Sequence, residues 1–196
     1  MLDAVNQAPV AERYYEKIAY GIPVEQAVAE LEAKPELWDV YNERTRSPAS
    51  PNYGCHDIWI RFRERSELTE PAKYGEPHFP VFYPAWHELP AVQAIIWGIV
   101  GFVKPVMLGG ILITKVPPGK QIKPHDDRGA WNAEFMNFKV WIPLKTNARV
   151  VCRFPTGGLV MKAGSAFRVN NLVPHSVENY GGEDRITLIM TMRSER

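Results

Sequence analysis

The sequence predicts a mainly β protein with helices confined to its N-terminal part. After Lys104 the chain breaks into short β-rich runs, GGILITKVPPG, NFKVWIPL, ARVVCRF, GLVMKAG, SAFRVN, HSVENY and RITLIMTM, separated by Gly, Pro and Asn. Short strands at that spacing indicate a sandwich, jelly roll or barrel. Ahead of them lie stretches with helical spacing and helix stop signals. No internal repeat or low-complexity tract interrupts the chain. Residues 1–196 are therefore expected to form a single domain, with 1–103 a helical and irregular buttress and 104–196 the β core.

Each element has its own reason. VAERYYEKIAYG (10–21) is expected to be a helix ending at glycine, and PVEQAVAELEAKPELWDVY (23–41) a second, opened by a first-turn proline. TRSPASPNYG (45–54) has loop composition. HDIWIRF (56–62) alternates as a strand does, with Ile58, Ile60 and Phe62 expected on one side. The proline-rich stretch from Thr69 to Pro90 predicts an irregular connection with a short extended piece near HFPVFY. A further helix is expected over roughly Leu89–Phe102.

Composition narrows the function classes. Twenty-three basic and twenty-two acidic residues leave a formal charge of +1, so no chain-wide field attracts nucleic acid or an anionic membrane. The most apolar run, AVQAIIWGIVGFV (91–103), has 13 residues, short of the roughly 20 that a spanning helix needs. Cys55 and Cys152 form no metal-binding pair, and the N-terminus does not read as a signal peptide. A soluble protein of the reducing cytosol is expected.

Chemistry gathers around KPHDDRGAW (123–131). In extended backbone residues i and i+2 share a face, so His125 and Asp127 point together and Asp126 points away. One imidazole and one carboxylate hold a metal poorly. His175 is the only later histidine. Two imidazoles and a carboxylate on one face of an ion, with the other positions open, make the facial triad of non-haem Fe(II) oxygenases. Ten residues beyond His175 lies Arg185, with Thr187 on the same strand face. A guanidinium fork beside a hydroxyl suits a carboxylate.

The order His-x-Asp, a distant His, then Arg-x-Thr resembles the Fe(II)/2-oxoglutarate-dependent dioxygenases. LITKVPPGKQIKPHDD, KVWIPLKTN and HSVENYGGEDRITLI are closer still to the aspartyl/asparaginyl β-hydroxylase-like, proline-hydroxylase-like branch, over roughly residues 105–192. The resemblance implies a double-stranded β-helix, the cupin-like jelly roll, with iron in its mouth. It implies His125, Asp127 and His175 as ligands, and Arg185, helped by Thr187, on the far carboxylate of 2-oxoglutarate. It also implies O2 as oxidant, with hydroxylation of an amino-acid side chain, free or within a protein, as the reaction. Where the branch has Arg-x-His on the next strand, this chain has Lys139-Val140-Trp141. Lys139 keeps the positive charge toward the co-substrate, whereas an indole offers no acceptor.

Other readings remain open at this level. The same chemistry on a nucleobase or nucleotide would use Trp59, Arg61 and Arg63 as a stacking and charge platform. A jelly roll that binds without catalysis, or a cupin with another metal, would keep the fold alone. His56, His78 and His87 lack partners at zinc spacing and are expected to be structural. Asn170, Asn171 and Asn179 either steady His175 or form turns.

Overall fold

The computed structural model describes residues 14–68, 76–128 and 135–195. Two antiparallel sheets face each other. The larger contains β1 (Tyr15–Ala19), β2 (His56–Phe62), β3 (Val81–Phe82), β4 (Met107–Val116), β6 (Phe138–Lys145), β9 (Ala166–Val169) and β11 (Arg185–Arg193), in the order β1-β9-β6-β11-β4-β2-β3. The smaller contains β5 (Gln121–His125), β7 (Val150–Phe154), β8 (Gly157–Leu159) and β10 (His175–Asn179), in the order β5-β10-β7-β8. Mainly β content in two facing antiparallel sheets is the jelly-roll architecture the sequence predicts. β5 lies outside the predicted runs; its proline and lysine hide a strand whose only buried residue is Ile122.

Alternation along the strands of the larger sheet builds two separate cores. Ile58 and Ile60 of β2, Ile111 and Ile113 of β4, Val140 and Ile142 of β6, and Leu188 and Met190 of β11 face outward. There they meet α1 (Glu25–Ala33) and α3 (Pro90–Val103), whose buried face is Val92, Ile95, Ile96, Ile99 and Val103 at helical spacing. Burying each such side chain stabilises the fold by roughly 1.5–3 kcal/mol. Glu30 of α1 accepts hydrogen bonds from the Ala91 and Val92 amides, capping α3 with a carboxylate from its neighbour. The inward face packs Val116, Trp141, Phe167 and Val169 against Ile122, Cys152, Phe154 and Val177 of the smaller sheet.

Several expectations are corrected. Residues 15–19 form β1 rather than a helix, and the start of the predicted element, 10–13, lies outside the described residues. Tyr15 packs inward on Phe154 at 5.0 Å while Ile18 joins the outer core, across a register shift between Lys17 and Ala19. Such a bulge leaves apolar residues three apart, which mimics helical spacing. The helix expected over 23–41 is α1 followed by a 3-10 turn at Pro35–Leu37; α1 stops before Pro35, which cannot follow a helical residue easily. Phe62 does not share a side with Ile58 and Ile60; a shift between Trp59 and Arg61 turns it toward Trp59. α2 (Ala85–Glu88) adds a single turn within the expected irregular stretch, and residues 69–75 of that stretch lie outside the described residues.

Candidate active site

The site forms where β5 ends and β10 begins. His125 and His175 are direct cross-strand partners, with ring centroids 4.4 Å apart. Each imidazole is fixed in the same way: Nδ1 of His125 donates to the Lys123 carbonyl at 2.8 Å, and Nδ1 of His175 to the Val173 carbonyl at 2.9 Å. Both Nε2 atoms are thereby left as lone-pair donors toward the space between the sheets. Asp127 lies past the end of β5, anchored by its amide to the Asn171 carbonyl at 2.9 Å. Its Oδ1 is 3.7 Å from His125 Nε2. One ligand atom from each of His125, Asp127 and His175 falls within 4.8 Å of the others. Asp126 turns away and pairs with Arg128 at 2.8 Å.

The electrostatics keep all three residues in metal-binding form. Burial, and next the Lys139 charge, push the His175 pKa down to about 4. His125 is likewise lowered, first by burial. Burial by itself raises the Asp127 pKa, but Lys139 Nζ, 2.6 Å from Oδ2, overcomes this and holds it at about 2. At neutral pH the site is two neutral imidazoles and one carboxylate.

Deeper between the sheets several polar atoms have no partner among the described residues. His175 Nε2, Trp141 Nε1 and Thr187 Oγ1 are buried without a hydrogen bond. Arg185 is 1% exposed. Among the described residues its guanidinium has only the Cys152 sulfur at 4.0 Å and the Trp141 ring at 5.8 Å. Burial lowers its pKa, yet an arginine stays charged. An interior cation with no anion costs several kcal/mol, so an anion beside Arg185 would offset that cost. Fe(II) fits the upper group, whose orphaned Nε2 lies within a two-histidine, one-carboxylate set. A dicarboxylic keto acid fits the cation and hydroxyl below it.

A profile of the aspartyl/asparaginyl β-hydroxylase family matches residues 81–195, more than half of the 196-residue chain. The chain belongs to this family. As a member it is a 2-oxoglutarate-dependent non-haem iron dioxygenase, using Fe(II), 2-oxoglutarate and O2. The fold is shared with a 2OG-Fe(II) oxygenase-family oxidoreductase from Burkholderia pseudomallei: TM-score 0.57, 12% identity, covering 93% of this chain and 89% of the other. A Pseudomonas putida prolyl-4-hydroxylase aligns with TM-score 0.53 and 17% identity over 95% and 96% of the two chains. For a viral collagen prolyl hydroxylase from Paramecium bursaria chlorella virus-1 the values are 0.51 and 13%, over 95% and 99%. No curated protein sequence matches the chain significantly.

The remaining sequence candidates are placed elsewhere. Trp59 is buried among Tyr41, Phe62 and Tyr83; Arg61 binds the Leu108 and Gly109 carbonyls; Arg63 is buried against His78 and the Glu76 carbonyl. They form no exposed platform for a base. His56 pairs with Asp39, and His87 lies on α2. Asn171 supports Asp127 through its carbonyl, Asn170 Oδ1 accepts the Leu172 amide in a turn, and Asn179 ties Val116 to Glu183. No helix among the described residues is long and apolar enough to cross a membrane.

Two features lie beyond sequence reasoning. Lys139 clamps a triad carboxylate. Arg44, in a loop 81 positions before His125, contributes to lowering the His125 pKa. No short-range pattern joins residues so far apart.

Proposed function

We propose that this dioxygenase hydroxylates a C–H bond of an amino-acid side chain, free or protein-borne, and converts 2-oxoglutarate to succinate as it does so. The observation that carries the reading is Arg185, a fully buried guanidinium with no anion among the described residues, on the inner face of the larger sheet opposite the smaller sheet that carries His125 and His175. The family is named for aspartyl and asparaginyl hydroxylation, and two of the neighbours for prolyl hydroxylation. These are all amino-acid side chains.

In this reading His125, Asp127 and His175 hold the iron through two Nε2 atoms and a carboxylate oxygen. Bound together, Fe(II), 2-oxoglutarate and O2 supply the oxidation: the keto acid yields succinate and CO2, and one oxygen atom is left for substrate C–H. The protein's residues do the positioning. Arg185 and Thr187 receive the far carboxylate, which pairs the buried charge and the orphaned hydroxyl together. Lys139 fixes Asp127 and lends its field to the co-substrate end. Val173 and Lys123 hold the imidazoles in the required tautomer. Trp141, 5.5 Å from the His175 ring, walls the pocket against water.

The test is an anaerobic Fe(II) reconstitution followed by O2 and 2-oxoglutarate, with free amino acids and peptides screened by mass spectrometry for gain of one oxygen. Succinate should accompany each oxidised product and disappear in His175→Ala and Asp127→Ala. A wild type that takes up no iron, or full turnover by both variants, overturns the proposal.

A further inference from the structure

Arg44 lies outside every recognised sequence feature, yet the fold carries it into the wall between the two sheets. The loop that bears it, residues 39–55, bridges β2 and the free edge of β5. It is tied to β5 by the Lys123 amide on the Pro51 carbonyl at 2.8 Å and by Lys123 Nζ on the Pro48 carbonyl at 3.0 Å, two residues before His125. Within the loop the Gly54 amide bonds the Thr45 carbonyl, and Ser50 Oγ bonds the Arg44 carbonyl. The segment is braced on both sides.

The guanidinium itself is directed by Asp57. One nitrogen, Nη1, is 2.7 Å from Asp57 Oδ2, and Asp57 is completely buried. Thr114 Oγ1 donates to the other carboxylate oxygen at 2.7 Å. Asp57, Thr114 and Thr187 are successive cross-strand partners on β2, β4 and β11. They form a polar row across the inner face, and Arg185 stands two residues along β11 from its end. The rest of the Arg44 fork has no partner among the described residues, and its side chain is 25% exposed. The buried thiol of Cys55, pushed up to about 12 by burial and by Asp57, feels both Arg44 and Arg185. Arg44 thus stands beside β5, at one end of the polar row that Arg185 adjoins at the other.

A dicarboxylate that chelates iron through one end has to satisfy both ends. Arg185 serves the far one. At the near end Lys139 is taken up by Asp127, and Trp141 offers only an N–H. We propose that Arg44 is the second carboxylate-binding residue of the co-substrate pocket, its free fork hydrogen-bonded to the near carboxylate of 2-oxoglutarate beside His125. This rests on the reading given under Proposed function. Asp57 offsets the Arg44 charge, so the contribution is a directed hydrogen bond held in place by Asp57 and Thr114 rather than added net charge.

Binding to the full-length protein loaded with Mn(II), followed by calorimetry without O2, tests this. The ligands are 2-oxoglutarate and 2-oxobutyrate, which keeps the near carboxylate and the keto group and lacks the far carboxylate. Arg44→Gln should weaken both ligands by about tenfold or more, as expected for loss of a charge-assisted hydrogen bond. Its Mn(II) affinity without keto acid should stay at the wild-type level, and Arg44→Lys should recover part of the loss. Arg185→Gln should weaken 2-oxoglutarate alone. If Asp57, left without its partner, prevents Arg44→Gln from folding, the double variant with Asp57→Asn is read in the same way. The inference falls if Arg44→Gln binds both ligands as wild type does, if its defect vanishes with 2-oxobutyrate, or if Mn(II) affinity drops in parallel. A wild type that binds Mn(II) but neither keto acid overturns the parent reading and this inference together.

Discussion

The two faces of β11 carry opposite chemistry along a single strand. Outward, Ile186, Leu188, Met190 and Met192 pack beneath the helices with no polar side chain among them. Inward stand Arg185 and Thr187, whose guanidinium and hydroxyl are buried with no oxygen partner among the described residues. The outer face has the composition of an element selected for stability alone. The inner face holds groups whose burial costs stability unless a partner satisfies them, as the proposed co-substrate would. Buried polar atoms without a partner occur elsewhere among the described residues, at Trp59 and Arg61 for example, but on β11 the orphaned hydroxyl accompanies a fully buried guanidinium that itself meets no oxygen there.

The largest break in that contrast comes from the triad beside the inner face. His175→Ala should remove Fe(II)-dependent succinate formation altogether and leave the circular dichroism spectrum unchanged. On the outer face, Leu188→Ala opens a cavity in the main core and should cost roughly 2–5 kcal/mol of stability, read as a fall in denaturation midpoint. Its 2-oxoglutarate affinity at low temperature should change by no more than a few fold.

Arg185→Met sharpens the comparison by reversing the signs. Co-substrate affinity should fall about ten- to a hundredfold for loss of a charged hydrogen-bonded partner, while the stability of the ligand-free protein holds or rises, because an unpaired buried charge is removed. Calorimetry and chemical denaturation on the same sample check both.

Acid acts on the inner side through its ligands. His175 titrates at about 4 in the fold against 6.5 ordinarily, and Asp127 at about 2 against 3.8. In each case the unfolded chain takes up the proton first. Stability from these groups is therefore complete above 6.5 and is lost as pH falls toward 4, then further toward 2. The metal-free melting temperature should decline over that range, and His175→Ala should flatten its upper part. The smallest effect expected is that of Thr187→Val: ligand-free stability within about 0.5 kcal/mol of wild type or above it, since an unsatisfied hydroxyl is removed, and a few-fold loss of 2-oxoglutarate affinity.

Strands whose two faces differ are readable from the chain. β4, β6 and β11 run for eight to ten largely buried, β-branched and apolar residues, and α3 repeats its apolar face every three or four. Where alternation breaks, reading fails: the shifts inside β1 and β2 turn Ile18 and Phe62 to faces that simple counting misassigns. β5 escapes such reading because it is an edge strand with one buried residue. At the site, His125 and Asp127 converge although Asp127 lies off the strand, so simple alternation predicts their grouping while a bond to Asn171 produces it.

Residue type and spacing indicated a sandwich, jelly roll or barrel and grouped His125 with Asp127 and Arg185 with Thr187, because strand alternation and donor chemistry are local properties; the family resemblance narrowed this to a jelly roll with His175 as the third candidate ligand. Tertiary structure decided that Lys139 holds Asp127, that Arg185 meets no anion among the described residues, and that Arg44 is seated on Asp57. Those relations depend on which atoms meet when two sheets close on each other, and partners brought together across tens of residues leave no periodic trace in the chain.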